Sequence, residues 1–190
     1  VEDDLGPVYG HQWRHFNAPY LDCDFSYRGA GVDQLKYIEN MLKNKDTRNS
    51  RRILMSAWNP CQIPQMALPP CHVLSQFHVT EGYKLSCSVY QRSADVGLGL
   101  PFNIASYSFL THLLAKHCDL IPHEFIHYGG NCHIYAEHLD DMKEQITRTP
   151  YPFPTVEILN KRENINDYVL EDFKIHDYQH HAPIKLKMVA

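Results

Sequence analysis

The sequence predicts an α+β fold, a β-sheet with helices segregated onto it, and two patterns carry that prediction. Leu85, Cys87, Val89 and Gln91 alternate with Ser86, Ser88, Tyr90 and Arg92, the period-2 signature of a strand with two unlike faces. Phe102, Ala105, Phe109 and Leu113 instead recur at helical steps, with Leu110 and Leu114 broadening the stripe. Sheet and helices kept apart in this way are the α+β arrangement.

In chain order, residues 32–43 place Val32, Leu35, Ile38 and Leu42 at helical spacing, with Tyr37 and Met41 alongside. A charged, amide-rich loop at 44–49 ends that helix. Residues 52–58 and 73–79 read as strands, followed by the alternating strand at 84–92, whose polar set, Arg92 included, is expected to face a cleft. The helix at 101–117 carries few polar positions, so burial on most of its faces is expected. Tyr135, Leu139, Met142 and Ile146 mark another helix. Pro150, Pro152 and Pro154 break the pattern before a strand at 155–159 and an irregular tail. No internal repeat interrupts this order, and 190 residues suit one domain with a substantial core.

A formal net charge of −4 and the lack of any Lys/Arg run argue against a nucleic-acid-binding surface. No apolar stretch reaches membrane-spanning length, and the start Val1-Glu2-Asp3-Asp4 is acidic, unlike a signal peptide. An intracellular protein with reduced thiols is therefore expected. The six cysteines form no CxxC pair, and Cys132-His133 lacks a second pair at zinc-binding spacing, so no metal is expected. Cys23, Cys61, Cys87, Cys118 and Cys132 read as packing residues, and only Cys71 as chemical. The 13 histidines are scattered, most of them expected at the surface or the core edge.

Cys71 stands out for its surroundings. Pro69 and Pro70 stiffen the backbone before it and remove two amide donors. A thiol attacks as thiolate, which nearby positive charge favours. Arg92 can serve a thiolate or an anionic substrate, since guanidinium is always charged and matches phosphate geometry. Asn103 carries a donor and an acceptor on one side chain, which suits a pyrimidine edge. Taken singly, each has a plainer reading: a buried thiol, a surface ion-pair partner, a helix cap. Their grouping alone leaves both readings open.

A resemblance adds to it. Asp4-Leu5-Gly6-Pro7-Val8-Tyr9-Gly10-His11-Gln12-Trp13-Arg14, Ser50-Arg51-Arg52-Ile53, Ser56-Ala57-Trp58-Asn59-Pro60 and Ala67-Leu68-Pro69-Pro70-Cys71-His72 open a series of blocks. Leu85-Ser86-Cys87, Tyr90-Gln91-Arg92-Ser93-Ala94-Asp95, residues 98–107 and His133-Ile134-Tyr135 continue it in order. The chain resembles the thymidylate synthases, in wording closest to the eukaryotic type, including the synthase half of fused reductase–synthase chains. That resemblance implies a mixed sheet forming a dimer interface. It also implies reductive methylation of deoxyuridylate (dUMP), with 5,10-methylenetetrahydrofolate as carbon and hydride donor and no metal.

Roles carry over as follows. Cys71 would add to carbon 6 of the pyrimidine, the covalent route that makes carbon 5 nucleophilic. Arg92 and Ser93 resemble phosphate ligands, with Gln91 in the same nucleotide-binding stretch. Asn103 would hold the uracil edge, and His133 with Tyr135 the deoxyribose hydroxyl. Tyr9 resembles the tyrosine that helps remove the carbon 5 proton, Asp95 the carboxylate that contacts the pterin, and His72 a support beside the nucleophile. Arg51 and Arg52 resemble a pair that reaches the partner subunit's phosphate site, which implies a homodimer.

The match also departs from the family's pattern. Its N-terminal portion is missing, with a phosphate-site arginine, a glutamate near the base and folate-pocket tryptophans, so independent turnover by this chain is not expected. Asn131 stands where the family has aspartate, and Glu137 where it has Asn. The ending Met188-Val189-Ala190 exchanges the last two residues of a tail that closes over ligands. Two rivals remain: a uracil-nucleotide hydroxymethylase, and a catalytically silent dimerisation fragment. A cytosine-specific enzyme would want a carboxylate at position 103.

Overall fold

Four strands form the main sheet of the computed structural model, which describes residues 3–189. In spatial order they are β1 (Leu54–Ser56), β2 (His72–Thr80), β3 (Lys84–Asp95) and β4 (Ile121–His133). Val1 and Glu2 of the acidic start, and Ala190 of the ending, lie outside the described residues. β1, β2 and β3 pair antiparallel, whereas β3 and β4 run parallel, so the sheet is mixed. A tight turn joins β2 to β3, with Glu81 and Gly82 both in the left-handed region (φ 53° and 78°). A parallel pair cannot be closed by such a turn and needs a crossover. Helix α3 (Gly99–His117) supplies it and packs on both strands it connects.

Helices α1 (Tyr9–His15) and α2 (Gln34–Lys43) precede the sheet, and α4 (Leu139–Gln145) follows it. Asp33 caps α2 by accepting from the Lys36 amide, which explains the start two residues inside the predicted span. One core joins Ile38 and Leu42 of α2, Met55 of β1, Phe77 of β2, Leu85, Cys87 and Val89 of β3, and Tyr107 and Leu114 of α3. The opposite sheet face carries Leu54, Tyr90 and Tyr128, which remain 37%, 46% and 57% exposed. No helix among the described residues is long and apolar enough to cross a membrane.

Several expectations need correction. α3 is not buried on most faces: Phe102, Ile104 and Phe109 are exposed, while Tyr107, Thr111, Leu114 and Ala115 are buried. The stripe that meets the sheet is thus partly polar, because the sheet opposite it is polar too, as described below. The strand at 52–58 shrinks to three residues, since Arg51 and Arg52 lie in a turn. β4 has weak alternation, with glycines at 129 and 130, and its pattern does not announce a strand. The C-terminal region contains β6 (Phe173–His176), paired antiparallel with β5 (Thr155–Ile158), where an irregular tail was expected. Of the cysteines expected to pack, only Cys87 and Cys118 are buried, their thiols each pushed up to about 12 by burial; Cys23, Cys61 and Cys132 are exposed. His117 and His138 are wholly buried rather than peripheral.

Candidate active site

Cys71 sits at the mouth of β2, on a turn fixed from three directions. Its amide donates to the Tyr9 hydroxyl at 2.7 Å, and its carbonyl accepts from the Arg92 amide at 2.8 Å. The Arg92 guanidinium donates through Nε to the Pro70 carbonyl and through Nη2 to the Pro69 carbonyl, both at 2.8 Å. Trp58 lies under that guanidinium, 5.5 Å from ring centre to Cζ, a cation–π contact that steadies it. Prolines supply carbonyls but no amides, so the Pro69-Pro70 pair is suited to be held by a cation. Arg92 thereby acts as the clamp of the nucleophile turn, a role its position 21 residues further on does not advertise.

A register shift between His72 and Leu74 follows immediately. Such a bulge re-aims side chains at a strand end. Here it sets His72 opposite Gln91, on the face toward α3. The His72 ring stacks on Tyr9 (centroids 4.3 Å apart, planes at 22°), and its Nδ1 lies 2.7 Å from the Tyr107 hydroxyl. Burial lowers the ring's pKa to about 4, so His72 is neutral at pH 7. Burial also raises the Tyr9 phenol above its usual range, against the lowering effect of the Cys71 amide, and keeps it a hydroxyl.

Behind them runs a chain of amides and rings. Gln91 donates through Nε2 to Asn103 Oδ1 at 2.9 Å, and its own Oε1 is 3.0 Å from His127 Nε2. Asn103, in the first turns of α3, therefore has its oxygen oriented and its Nδ2 directed toward His72 Nε2, at 3.5 Å. This polar layer is why α3 turns Asn103, Tyr107 and Thr111 inward. Replacing Tyr107 with phenylalanine would leave His72 Nδ1 buried and unpaired. A loss of about 1–3 kcal/mol in stability is expected, read as a lower urea midpoint.

At the far end of the parallel pair, Asp95 stands opposite His133 and Ser93 opposite Asn131. Asp95 accepts from the amides of Gly97 and Leu98 through Oδ1 and of Gly99 through Oδ2, capping the entry to α3. His133 Nδ1 is 3.2 Å from Asn131 Oδ1, and its ring meets Tyr135 edge-on at 5.1 Å. Leu98 and Phe102, the latter 69% exposed, line a cleft of 370 Å³ with Leu186 of the C-terminal segment.

Cys71, Tyr9, His72, Gln91, Arg92 and Asn103 are thus one connected cluster, and Asp95, His133 and Tyr135 line up beyond it. Arg51 and Arg52 do not join them: both are exposed at the opposite edge, beside β1, where Gln76 donates to the Arg51 carbonyl. Sequence reasoning missed Tyr107, His127 and the role of Trp58. Tyr107 was findable, being one helical turn beyond Asn103 on the same face.

A family model described as thymidylate synthase matches residues 1–190. The chain belongs to the thymidylate synthase family. It is 56% identical over 189 residues to a bifunctional dihydrofolate reductase–thymidylate synthase of Paramecium tetraurelia, covering 100% of this chain and 40% of that protein. It is 53% identical over 193 residues to the thymidylate synthase of Saccharomyces cerevisiae, covering 97% of this chain and 63% of that one. A thymidylate synthase of Herpesvirus ateles is 54% identical over 189 residues, 100% of this chain and 64% of its own length. The chain therefore spans well under half of the fused relative and less than two thirds of these two thymidylate synthases. Cys71, its proline pair and its Arg92 clamp lie inside the shared span.

Proposed function

We propose that this chain carries the nucleophile and the pyrimidine site of a thymidylate synthase, converting dUMP to dTMP. One observation supports this most directly: the Cys71 turn is clamped at both its carbonyl and its amide, while Gln91 orients Asn103 in the same cluster. An oriented asparagine presents an acceptor to the N3–H of uracil and a donor to O4, the pattern cytosine lacks.

The chemical difficulty is that carbon 5 of uracil is a poor nucleophile. Addition of the Cys71 thiolate to carbon 6 forms a C–S bond and moves an electron pair toward carbon 5 and O4, which Asn103 receives through its N–H. Carbon 5 then attacks the one-carbon unit, and its proton leaves toward a base relay that includes the Tyr9 hydroxyl. When bound, methylenetetrahydrofolate supplies the carbon and then a hydride, leaving as dihydrofolate. As the hydride arrives at the new carbon, the C–S bond breaks and the Cys71 thiolate is regenerated. The carboxylate of Asp95 beside the apolar walls of Leu98 and Phe102 fits a flat heteroaromatic ring with N–H donors. Arg92 and Ser93 would take the phosphate, and His133 with Tyr135 the sugar hydroxyl.

Arg51 and Arg52, remote from Cys71 within one chain, gain a role if two chains pair through the exposed sheet face. That face is a candidate for the homodimer interface, with both arginines supplied to the other subunit's phosphate.

Intact mass after incubation with 5-fluoro-dUMP and methylenetetrahydrofolate tests the reading, because fluorine at carbon 5 cannot leave as a proton does. The expected result is a mass increase equal to nucleotide plus folate, absent in Cys71→Ser. A hydroxymethylase would stall at the same ternary adduct, so the product formed from dUMP itself, dTMP or 5-hydroxymethyl-dUMP, separates the two. No adduct from folded, full-length protein would reject the assignment.

A further inference from the structure

His138 is fully buried, and its two ring nitrogens meet different parts of the chain. Nε2 lies 2.7 Å from the carbonyl of Lys187, on the C-terminal segment. A carbonyl only accepts, so Nε2 carries the proton and donates. Among the described residues Nδ1 is enclosed without a hydrogen-bond partner, 3.8 Å from Asp95 Oδ1. The ring is also met edge-on by Tyr135 at 5.6 Å. Leaving a buried nitrogen unpaired is unfavourable, so the surrounding contacts must over-determine the ring's position. Gly97 reports how closely the pieces approach. A Cβ there would stand 2.8 Å from His138 Nδ1 and 3.4 Å from Leu186 Cδ1. The loop after Asp95, the His138 ring and the C-terminal segment therefore meet with no room for even a methyl group.

We propose that His138 is a positioning residue that pins the C-terminal segment, through the Lys187 carbonyl, against the loop leading from Asp95 into α3. Its consequence for catalysis rests on the proposed function. Asp95 holds that loop through three amides, and Leu186 of the pinned segment walls the cleft beside Phe102. Loosening the pin should thus weaken binding on the Asp95 side, where folate is placed, and leave the nucleotide side, built on Gln91 and Arg92, largely unaffected.

Side-chain geometry separates the two halves of this role. In His138→Gln the amide nitrogen reaches where Nε2 stood and can still donate to Lys187. In His138→Asn it reaches only the Nδ1 position, toward Asp95, and the pin is lost. His138→Ala loses both. Trypsin reads the pin without reference to activity, because cutting after Lys187 requires the very carbonyl that His138 holds. With full-length protein and mass-spectrometric detection, His138→Asn and His138→Ala are expected to be cut after Lys187 about tenfold faster than wild type, the glutamine variant within about twofold. Cutting after the enclosed Arg48 serves as the control for general unfolding. In steady-state assays, His138→Asn should raise KM for methylenetetrahydrofolate about tenfold and KM for dUMP less than threefold, with glutamine restoring both. Equal cleavage in all variants, or a glutamine variant as exposed as alanine, would overturn the pin. Unchanged folate KM in the asparagine variant would overturn its link to the site. An inactive wild type would sink the functional reading alone, since cleavage still decides the pin.

Discussion

Replacing Cys71 with serine is expected to lower dTMP formation by about four orders of magnitude or more, with little change in folded stability. The two side chains differ by one atom, and the turn that carries them is held by backbone groups of residues 69–71, Arg92 and Tyr9, none of which the substitution touches. What changes is the nucleophile. A thiolate is accessible near neutral pH and is intrinsically reactive toward soft carbon, whereas a serine alkoxide is essentially unpopulated and the adjacent imidazole, His72, is neutral, half-buried and already engaged by Tyr107. Serine thus acquires no general base from this cluster. Steady-state rates, with urea midpoints measured in parallel, check the prediction. A serine variant retaining a tenth of the wild-type rate would remove Cys71 from the chemistry.

The second large effect concerns stability and lies away from the site. Glu39 of α2 is 1% exposed and bonded to Lys43 at 2.6 Å, Lys36 at 3.0 Å and the fully buried His117 at 3.0 Å. Glu39 and His117 are the buried members of that cluster, while Lys36 and Lys43 stay hydrated without them, so Glu39→Ala is expected to lower stability by about 1–3 kcal/mol, chiefly by leaving His117 without its partner. Burial alone would raise the Glu39 carboxyl, but the bonds from Lys43, Lys36 and His117 outweigh it and depress its pKa from 4.5 to about 2. A depressed carboxyl contributes fully above its unfolded value and loses that contribution as pH falls toward the folded one. The gap between wild type and Glu39→Ala should therefore be widest at pH 7 and narrow between about pH 4.5 and 2. Urea titrations at several pH values read it directly. A gap independent of pH would mean that packing rather than charge accounts for the loss.

The sequence disclosed elements whose pattern follows burial and concealed those whose pattern follows chemistry. β3 was legible because Leu85, Cys87 and Val89 face the core while Ser88 and Tyr90 do not. α3 was legible as a helix but not in its orientation. Its most apolar stripe, Phe102 to Phe109, lies outward, and its inward stripe carries Asn103, which answers Gln91, Tyr107, which answers His72, and Thr111, whose hydroxyl donates to the Tyr107 carbonyl. Hydrophobic periodicity assumes that the buried face is the apolar one, and a helix that lines a polar site violates the assumption. The cluster around Cys71 was anticipated through family blocks rather than local pattern. The Arg92 clamp on two proline carbonyls, the Asp95 cap and the His138–Lys187 contact were invisible, since each depends on where backbone groups meet in space.

The bond between the Cys71 amide and Tyr9 joins residues 62 positions apart. Closing so long a segment costs conformational entropy, and contacts of that separation form after local turns and helices. The β2–β3 turn can bring Arg92 to Cys71 early, since 21 residues and a hairpin separate them. Tyr9 arrives only when the first helix docks. During refolding, the thiol is therefore present from the start as an ordinary cysteine, and its native geometry is among the last things the chain acquires.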